Sequence, residues 1–495
     1  MSWESKYRRL DDVRCLIPQD AKKGMRVPGR VYADDAMMKV VLGDNALEQV
    51  VNVAFLPGIQ GASLGMPDIH WGYGFPIGGV AAVDMESGVV SPGGIGFDIN
   101  CGVRLIRTSL DVANIKPKIR ELTDEFFRSV PSGVGSEGNL KLSRSDLDSV
   151  LREGAGWAVR SGYGWERDIE RTEENGRLEM ADPACASDKA KSRGVPQLGS
   201  LGGGNHFIEL QRVDKVYEPE TASKFGITGE GQVVVMVHTG SRGLGHQVAT
   251  EAIDTMLSNA RNFKVTFKEP VMPGETFLPD RQLACAPITS KQGENYLKAM
   301  ACAANFGWAN RQMIMHWLRK SFEKVLGSTS EEMGMDLVYD VAHNIAKIEE
   351  YEIDGKRKKL LIHRKGATRA FPAEHKDVPS VYKSVGQPVL IPGDMGSASY
   401  LLVGTEVAIK ESFGTTCHGA GRAMSRSRAM RTFTPQGVKD DLNRKGIYIR
   451  AASKEGVVEE APGVYKNVDN VVDICSRAGL ARKVARMVPL AVVKG

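Results

Sequence analysis

The sequence predicts a mixed α/β (α+β) protein folded as one large unit, and three observations predict it. Short apolar runs rich in β-branched residues recur along the chain between turn residues, the pattern of buried strands. Two stretches instead show apolar residues at three- and four-residue spacings, the period of helices. Five glycine-rich islands, at residues 91–102, 202–206, 238–243, 392–397 and 418–422, each hold a side chain that suits a metal or a phosphate. Cutting the chain into independent domains would scatter these islands, so the expected domain is the whole chain, 1–495.

The first helical stretch is 116–130, with Ile119, Leu122, Phe126 and Val130 on one face. Residues 164–193 are strongly charged and read as helical pieces and loop on the surface. The longest helix is expected from about 294 to 325, carrying Leu297, Met300, Ala304, Trp308, Ile314, Leu318 and Phe322. Strands are expected at 232–237, 336–341, 359–362 and 389–391. His238 follows the first of these directly and His343 follows the second within two residues, positions where a sheet gives rigid support to converging ligands.

Hydrophobic residues make up 42% and charged residues 25% of the chain, enough for a sizeable core. The 54 glycines are clustered, so they mark turns and phosphate-type loops rather than a linker. A net charge of +5 permits a polyanionic partner without requiring one. Seven cysteines without a CxxC pair, behind an N-terminus that has no secretory pattern, point to a reducing compartment. No apolar run reaches the roughly 20 residues of a membrane span. A soluble, cytosolic protein is expected.

Asp98 and Cys101 stand three residues apart in the first island, where glycines let the backbone hold short side chains at one point. With His206, His238 and His343 they could hold one transition metal, or two sharing a bridging thiolate. Any one of the nine histidines is ordinarily a core residue with satisfied hydrogen bonds. Three of them, each at a strand end or a glycine island, make the metal site the stronger reading. Ligand softness favours zinc slightly over manganese. Asn205 and Glu209 flank His206 and suit a metal's or a substrate's polar surroundings.

His418 lies in a tight turn (FGTTCHGAGR, 413–422) before a helix-like segment. Arg422 and Arg426, four apart, would share a helical face there, with Arg428 and Arg431 nearby. A glycine turn at a helix start followed by arginines suits phosphate groups. His418 would then be a nucleophile toward phosphorus or a general acid–base, with Cys417 the competing nucleophile. A solvated basic helix behind a capping turn explains this piece equally well. Arg242 offers another phosphate-directed cation. The segment IPGDMGSASY (391–400) is a second candidate nucleotide loop, although it lacks the P-loop spacing and alone reads as a surface turn. Lys494 ends an apolar tail, which suggests a docked terminus carrying a working cation where termini ordinarily fray.

Assembled, these stretches resemble the RtcB family of RNA ligases. The carriers are GFPIGGV (74–80), residues 91–104, LGSLGGGNH (198–206), VHTGSRG (237–243), DVAHN (340–344), HRKGATRAFP (363–372), residues 417–422 and the terminal Lys494-Gly495. The resemblance spans essentially the whole chain. It implies a single RtcB-type domain in which a central sheet region lines a dinuclear metal cleft. It also implies joining of RNA 2′,3′-cyclic-phosphate or 3′-phosphate ends to 5′-hydroxyl ends, through a histidyl-GMP intermediate and a 3′-guanylylated RNA. GTP and two Mn²⁺ are the implied cofactors, and manganese replaces zinc as the expected metal. Asp98, Cys101, His206, His238 and His343 match the metal ligands, with Cys101 the bridge, and His418 matches the guanylate-accepting histidine. Asn205, Glu209, Asp394, Ser399, Gly419, Ala420, Gly421, Tyr465 and Lys494 match guanylate-binding positions. Arg242, Arg422 and Arg426 match positions for RNA phosphates. One departure is Asp394, which stands where some relatives carry serine and adds an acid near the nucleotide.

The implied partners are RNA, as tRNA exon halves or other cleaved RNA, and an archease-type activator, with no membrane. The chain would work as a monomer or within a ligase complex, in the cytoplasm, or in the nucleus of a eukaryote. Two other readings share these residues. A dinuclear metallohydrolase would open cyclic phosphates without joining ends, and would have no need of His418 as a guanylate carrier. An RNA-binding module without catalysis would bind RNA in a salt-dependent way and never become labelled by GTP.

Overall fold

In a computed structural model, which describes residues 3–269 and 271–495, two sheets carry the fold, one of seven strands and one of eight. The first sheet includes Ile59–His70, Ile77–Asp84 and the hairpin Asn344–Ile353/Lys356–Lys365. The second runs, in spatial order, Leu337–Ala342, Gly102–Asp111, Gln232–Thr239, Phe207–Val216, Ala481–Lys494, Ser399–Gly404 and Pro388–Ile391. Tyr448–Ala451 adds to it parallel to Ala481–Lys494, and the other pairings are antiparallel. The mixed α/β class read from the sequence is the class observed.

The run at 232–237 is apolar without alternation because both faces of its strand are covered. Val234 and Met236 pack into one apolar cluster, while Val233, Val235 and Val237 pack into another on the opposite face. The strand continues through His238 to Thr239. The expected strand at 359–362 is the centre of a longer one, Lys356–Lys365, whose charged outer half hides it from an apolar-run criterion.

Register along the second sheet gathers the ligand-type residues. Ala342 lies opposite Gly102, Gly102 opposite Thr239, His238 opposite Phe207, and Phe207 opposite Lys494. Cys101 immediately precedes Gly102, His343 follows Ala342 and His206 precedes Phe207. Cys101, His206, His238, His343 and Lys494 therefore share one edge of the sheet.

The long helix spans Lys291–Leu326, with the Ser290 side chain accepting from the Gly293 N–H at its start and Gly327 in the left-handed region at its end. It is buried on every side through its middle, from Ala301 past Trp308 to Ile314, as befits a core helix. The helix expected at 116–130 is shorter, Ile119–Ser129, preceded by a 3₁₀ turn at Lys116–Lys118 that contains Pro117. Proline is tolerated only in a first turn, which sets that boundary. The charged stretch 164–193 holds short helices, Glu166–Glu170 and Asp188–Gly194, but it is not all surface. Asp168 and Glu173 are fully buried, paired with Arg319 and Lys347 respectively. No helix among the described residues is long and apolar enough to cross a membrane, and all seven cysteines are free.

Candidate active site

Asp98, Cys101 and His206 place one ligand atom each within 4.8 Å of one another. His206 Nε2 lies 2.8 Å from Asp98 Oδ2 and 3.7 Å from Cys101 Sγ, and His238 Nε2 lies 3.2 Å from the same sulfur. The His343 ring centroid is 5.7 Å from that of His238. The five residues of the expected donor set are thus neighbours: Asp98, Cys101 and His206 converge, His238 touches the thiol, and His343 adjoins His238. The His206 Nδ1–H is positioned to donate to the Leu201 carbonyl at 2.9 Å, which leaves Nε2 free to ligate. Both ring nitrogens of His343 and Asp98 Oδ1 are buried without a partner. Buried polar atoms are nearly always satisfied, so orphans in this place fit a cation. Burial pushes His238 and His343 well below the ordinary histidine range, holding both rings neutral as ligation requires. Burial raises the Cys101 thiol well above its usual range, and a bound cation would offset that cost.

A buried ion network sets the strand ends that carry these residues. Arg311, from the middle of the long helix, donates to the Asn100 and Thr239 carbonyls at 2.8 Å each and pairs with Asp340 at 2.7 Å. Arg104 pairs with the same carboxylate at 2.7 Å. Asn100 takes a left-handed φ of 53°, and Arg311 also donates to its side-chain carbonyl at 2.9 Å. Gly202 adopts φ +92°, and a Cβ there would lie 2.2 Å from the Arg242 guanidinium and 2.7 Å from His206 Nδ1.

His418 follows the strand Thr415–Cys417 and its ring centroid lies 5.3 Å from that of His343. Its Nδ1 is 2.5 Å from Asp68 Oδ2, and its backbone N–H donates to the same oxygen at 2.9 Å. Nδ1 is therefore engaged and Nε2 is the free nitrogen on the cleft side. Burial alone would raise the Asp68 carboxyl, but the charge and hydrogen bonds of His418, with Lys466 behind, hold it below its ordinary range. Gly421 adopts φ +70°, and a Cβ there would come within 2.1 Å of the Asp68 carbonyl, so only glycine lets this loop close on that strand. Cys417 is wholly buried, and burial with the neighbouring Cys475 pushes its thiol well above the usual range, which removes it as a competing nucleophile.

The cleft beside His418 has a volume of about 840 Å³, and its lining includes Asn205, Glu209, Asp394, Gly419, Ala420, Gly421, Tyr465 and Lys494. Ser399 lies just behind it, receiving a hydrogen bond from Gln211 at 3.1 Å and one from the Gly393 N–H at 3.4 Å. Burial lifts the Glu209 carboxyl to about 8 and also raises Asp394, whose side chain accepts from the Gly396 N–H at 2.9 Å. The Tyr465 hydroxyl donates to Glu460. Lys494 is only 4% exposed and its ammonium sits 3.9 Å from Glu460 and 5.9 Å from the Phe207 ring centre, so the terminal strand is docked as expected.

The arginines are arranged differently from the expectation. Arg422 lies before the helix, which runs Arg426–Thr432 behind a Ser425 cap, so the two arginines do not share a helical face. They meet through acids instead: Arg422 pairs with Glu460 at 3.1 Å, and Arg426 lies 3.4 Å from Glu459 and 3.8 Å from Glu460. Arg242 opens its own helix with φ 56° and donates to Ser200 at 3.2 Å and Ser136 at 3.3 Å. Asp68, Arg311, Lys365 and Lys466 are absent from the sequence-based set. Lys365 donates to the Tyr73 and Phe75 carbonyls at 2.6 and 3.0 Å, and burial brings it down to about 7. Lys466 donates to the Pro67 and Ile69 carbonyls on either side of Asp68.

An Asp/Cys/His donor set at a sheet edge, buried except for a part-exposed Asp98 and opening on a cleft with an oriented histidine, defines a metal-dependent enzyme. The family described as tRNA-splicing ligase RtcB matches residues 49–495, and the chain belongs to that family. It is 57% identical over 488 residues to the tRNA-splicing ligase RtcB of Thermococcus kodakarensis, covering 99% of this chain and 98% of that one. The protein of that name from Archaeoglobus fulgidus is 54% identical over 495 residues, covering 100% of both. That from Aeropyrum pernix is 54% identical over 490 residues, covering 99% of each.

Proposed function

We propose that this protein joins RNA 2′,3′-cyclic-phosphate or 3′-phosphate ends to 5′-hydroxyl ends, as in tRNA splicing, using GTP and manganese. The observation that carries this reading is His418 with Nδ1 held by Asp68, standing next to His343 of the donor cluster. An imidazole oriented in that way keeps the Nε2 lone pair for phosphorus. Nε2 would attack the α-phosphorus of GTP, a P–N bond forming as the bond to pyrophosphate breaks and pyrophosphate leaves. A cyclic end would first be opened by water, which forms a bond to phosphorus as the bond to the 2′-oxygen breaks and leaves a 3′-phosphate. The guanylate would then pass to an oxygen of that 3′-phosphate, freeing His418. The 5′-hydroxyl would then attack that phosphate and GMP would leave.

In this reading Asp98, Cys101, His206, His238 and His343 hold two Mn²⁺, which would neutralise charge on the reacting phosphates. Asn205, Glu209, Asp394, Ser399, Tyr465, Lys494 and the Gly419–Gly421 turn hold the guanylate, and Arg242, Arg422 and Arg426 hold RNA phosphates. The proposed catalytic unit is the whole chain, since Asp68 comes from the first sheet and Lys494 from the last strand. The test is sealing of an RNA with a 2′,3′-cyclic-phosphate end to one with a 5′-hydroxyl end. A joined product that requires both GTP and Mn²⁺ is expected. Opening of the cyclic phosphate with no joined product would favour the metallohydrolase reading.

A further inference from the structure

Part of the lining of the cleft is aromatic, and nothing in the steps above uses it. Trp71 is 47% exposed, the one aromatic among the exposed large hydrophobic residues described. Trp71, Tyr73 and Phe97 all line the cleft. Tyr73 and Phe97 meet edge to face with centroids 5.4 Å apart, and Phe97 stacks on His246 at 5.0 Å.

The wall is built rather than loose. The Trp71 backbone N–H donates to Asp44 at 2.8 Å, Gly72 exchanges hydrogen bonds with the buried Gln49 at 2.7 and 2.9 Å, and the Gly74 N–H donates to Gln282 at 2.9 Å. The Lys365 ammonium fixes the Tyr73 carbonyl at 2.6 Å. A tryptophan left open to solvent in a cleft, on backbone that hydrogen bonds hold in place, is a surface suited to a flat apolar ligand. Arg422, Arg426 and Arg428 line the same cleft. Aromatic faces and cations sharing one groove are the general means of holding single-stranded nucleic acid, bases on the rings and phosphates on the charges. Trp71 lies three residues after Asp68, and Phe97 directly precedes Asp98. The wall is therefore joined by a few residues of chain to both the His418 partner and the donor cluster.

We propose that Trp71, Tyr73 and Phe97 form a stacking wall for the unpaired terminal nucleobases of the RNA strand whose 3′-phosphate enters the site. This rests on the ligase reading for the identity of the strand. Stacking of this kind contributes about 1–3 kcal/mol per base and tolerates any base, so the wall would supply affinity without sequence preference.

The experiment measures binding of a 3′-phosphorylated single-stranded RNA to the full chain at fixed salt, beside labelling of the protein by GTP carrying a radioactive α-phosphate. Trp71→Ala should weaken binding roughly 5- to 100-fold, Trp71→Phe should bind like the parent, and both should label like the parent. An abasic terminal nucleotide on the phosphate-bearing strand should weaken parental binding to the same degree and cost Trp71→Ala nothing more. Unchanged binding in Trp71→Ala overturns the proposal, as does a loss that follows an abasic 5′-hydroxyl end instead. Trp71-dependent binding by a parent that takes no label would sink the ligase reading and leave the wall standing.

Discussion

His418 and Asp68 form the pair on which the proposed chemistry turns. Asp68 accepts from the ring and from the backbone N–H of His418, so replacing it removes orientation as well as charge. Asp68→Asn should slow protein guanylylation roughly 10²- to 10⁴-fold, measured as the rate of label incorporation, with the metal content unchanged. Glu209 gives a pH prediction. Its folded carboxyl titrates near 8 against 4.5 for the free group, because burial disfavours the anion. Between those values the folded chain keeps a proton that the unfolded chain has lost, so this group's contribution to stability falls as pH rises. Glu209→Gln should therefore gain thermal stability relative to the parent between about pH 5 and about pH 8.5. A constant difference across that window would show that Glu209 does not carry the shift.

At the scale of elements, site geometry is strand register. The chain ends of Gly102–Asp111, Phe207–Val216, Gln232–Thr239 and Leu337–Ala342 align because each pairs antiparallel with its neighbour, and Arg311 locks two of those ends from the long helix. Arg311→Met leaves Asp340 with Arg104 alone in a dry interior and should cost about 3–5 kcal/mol, read by denaturant unfolding, with weaker metal retention. Met236→Ala, in the strand buried on both faces, should cost about 2–5 kcal/mol without altering the metal donors. Much of this level was legible in the sequence. The β-branched runs marked the strands, and glycine islands beside His206, His238 and Asp98 marked the converging ends. Asp68 was not legible, because its partner lies 350 positions away and no local pattern ties an aspartate in MPDIH to a distant histidine. The helix expected to hold both Arg422 and Arg426 failed for a local reason: Ser425 caps the helix at Arg426 and excludes Arg422. Asp168 and Glu173 looked like surface charges because their buried partners come from remote elements.

At the scale of the molecule, the site depends on both sheets and on the last strand. Lys494 is seated between Phe207 and Glu460, and the edge that carries it is the edge that carries the donors. Removing Lys494 and Gly495 should abolish guanylylation while the far-ultraviolet circular dichroism remains that of the parent. The central claim is that a metal-dependent histidine carries the guanylate, and the most direct test is incubation with α-labelled GTP and Mn²⁺ of the parent, His418→Ala and Cys101→Ala. The account predicts acid-labile, alkali-stable label on the parent and none on either variant. Label persisting on His418→Ala, or absent from a folded and metal-loaded parent, would contradict it.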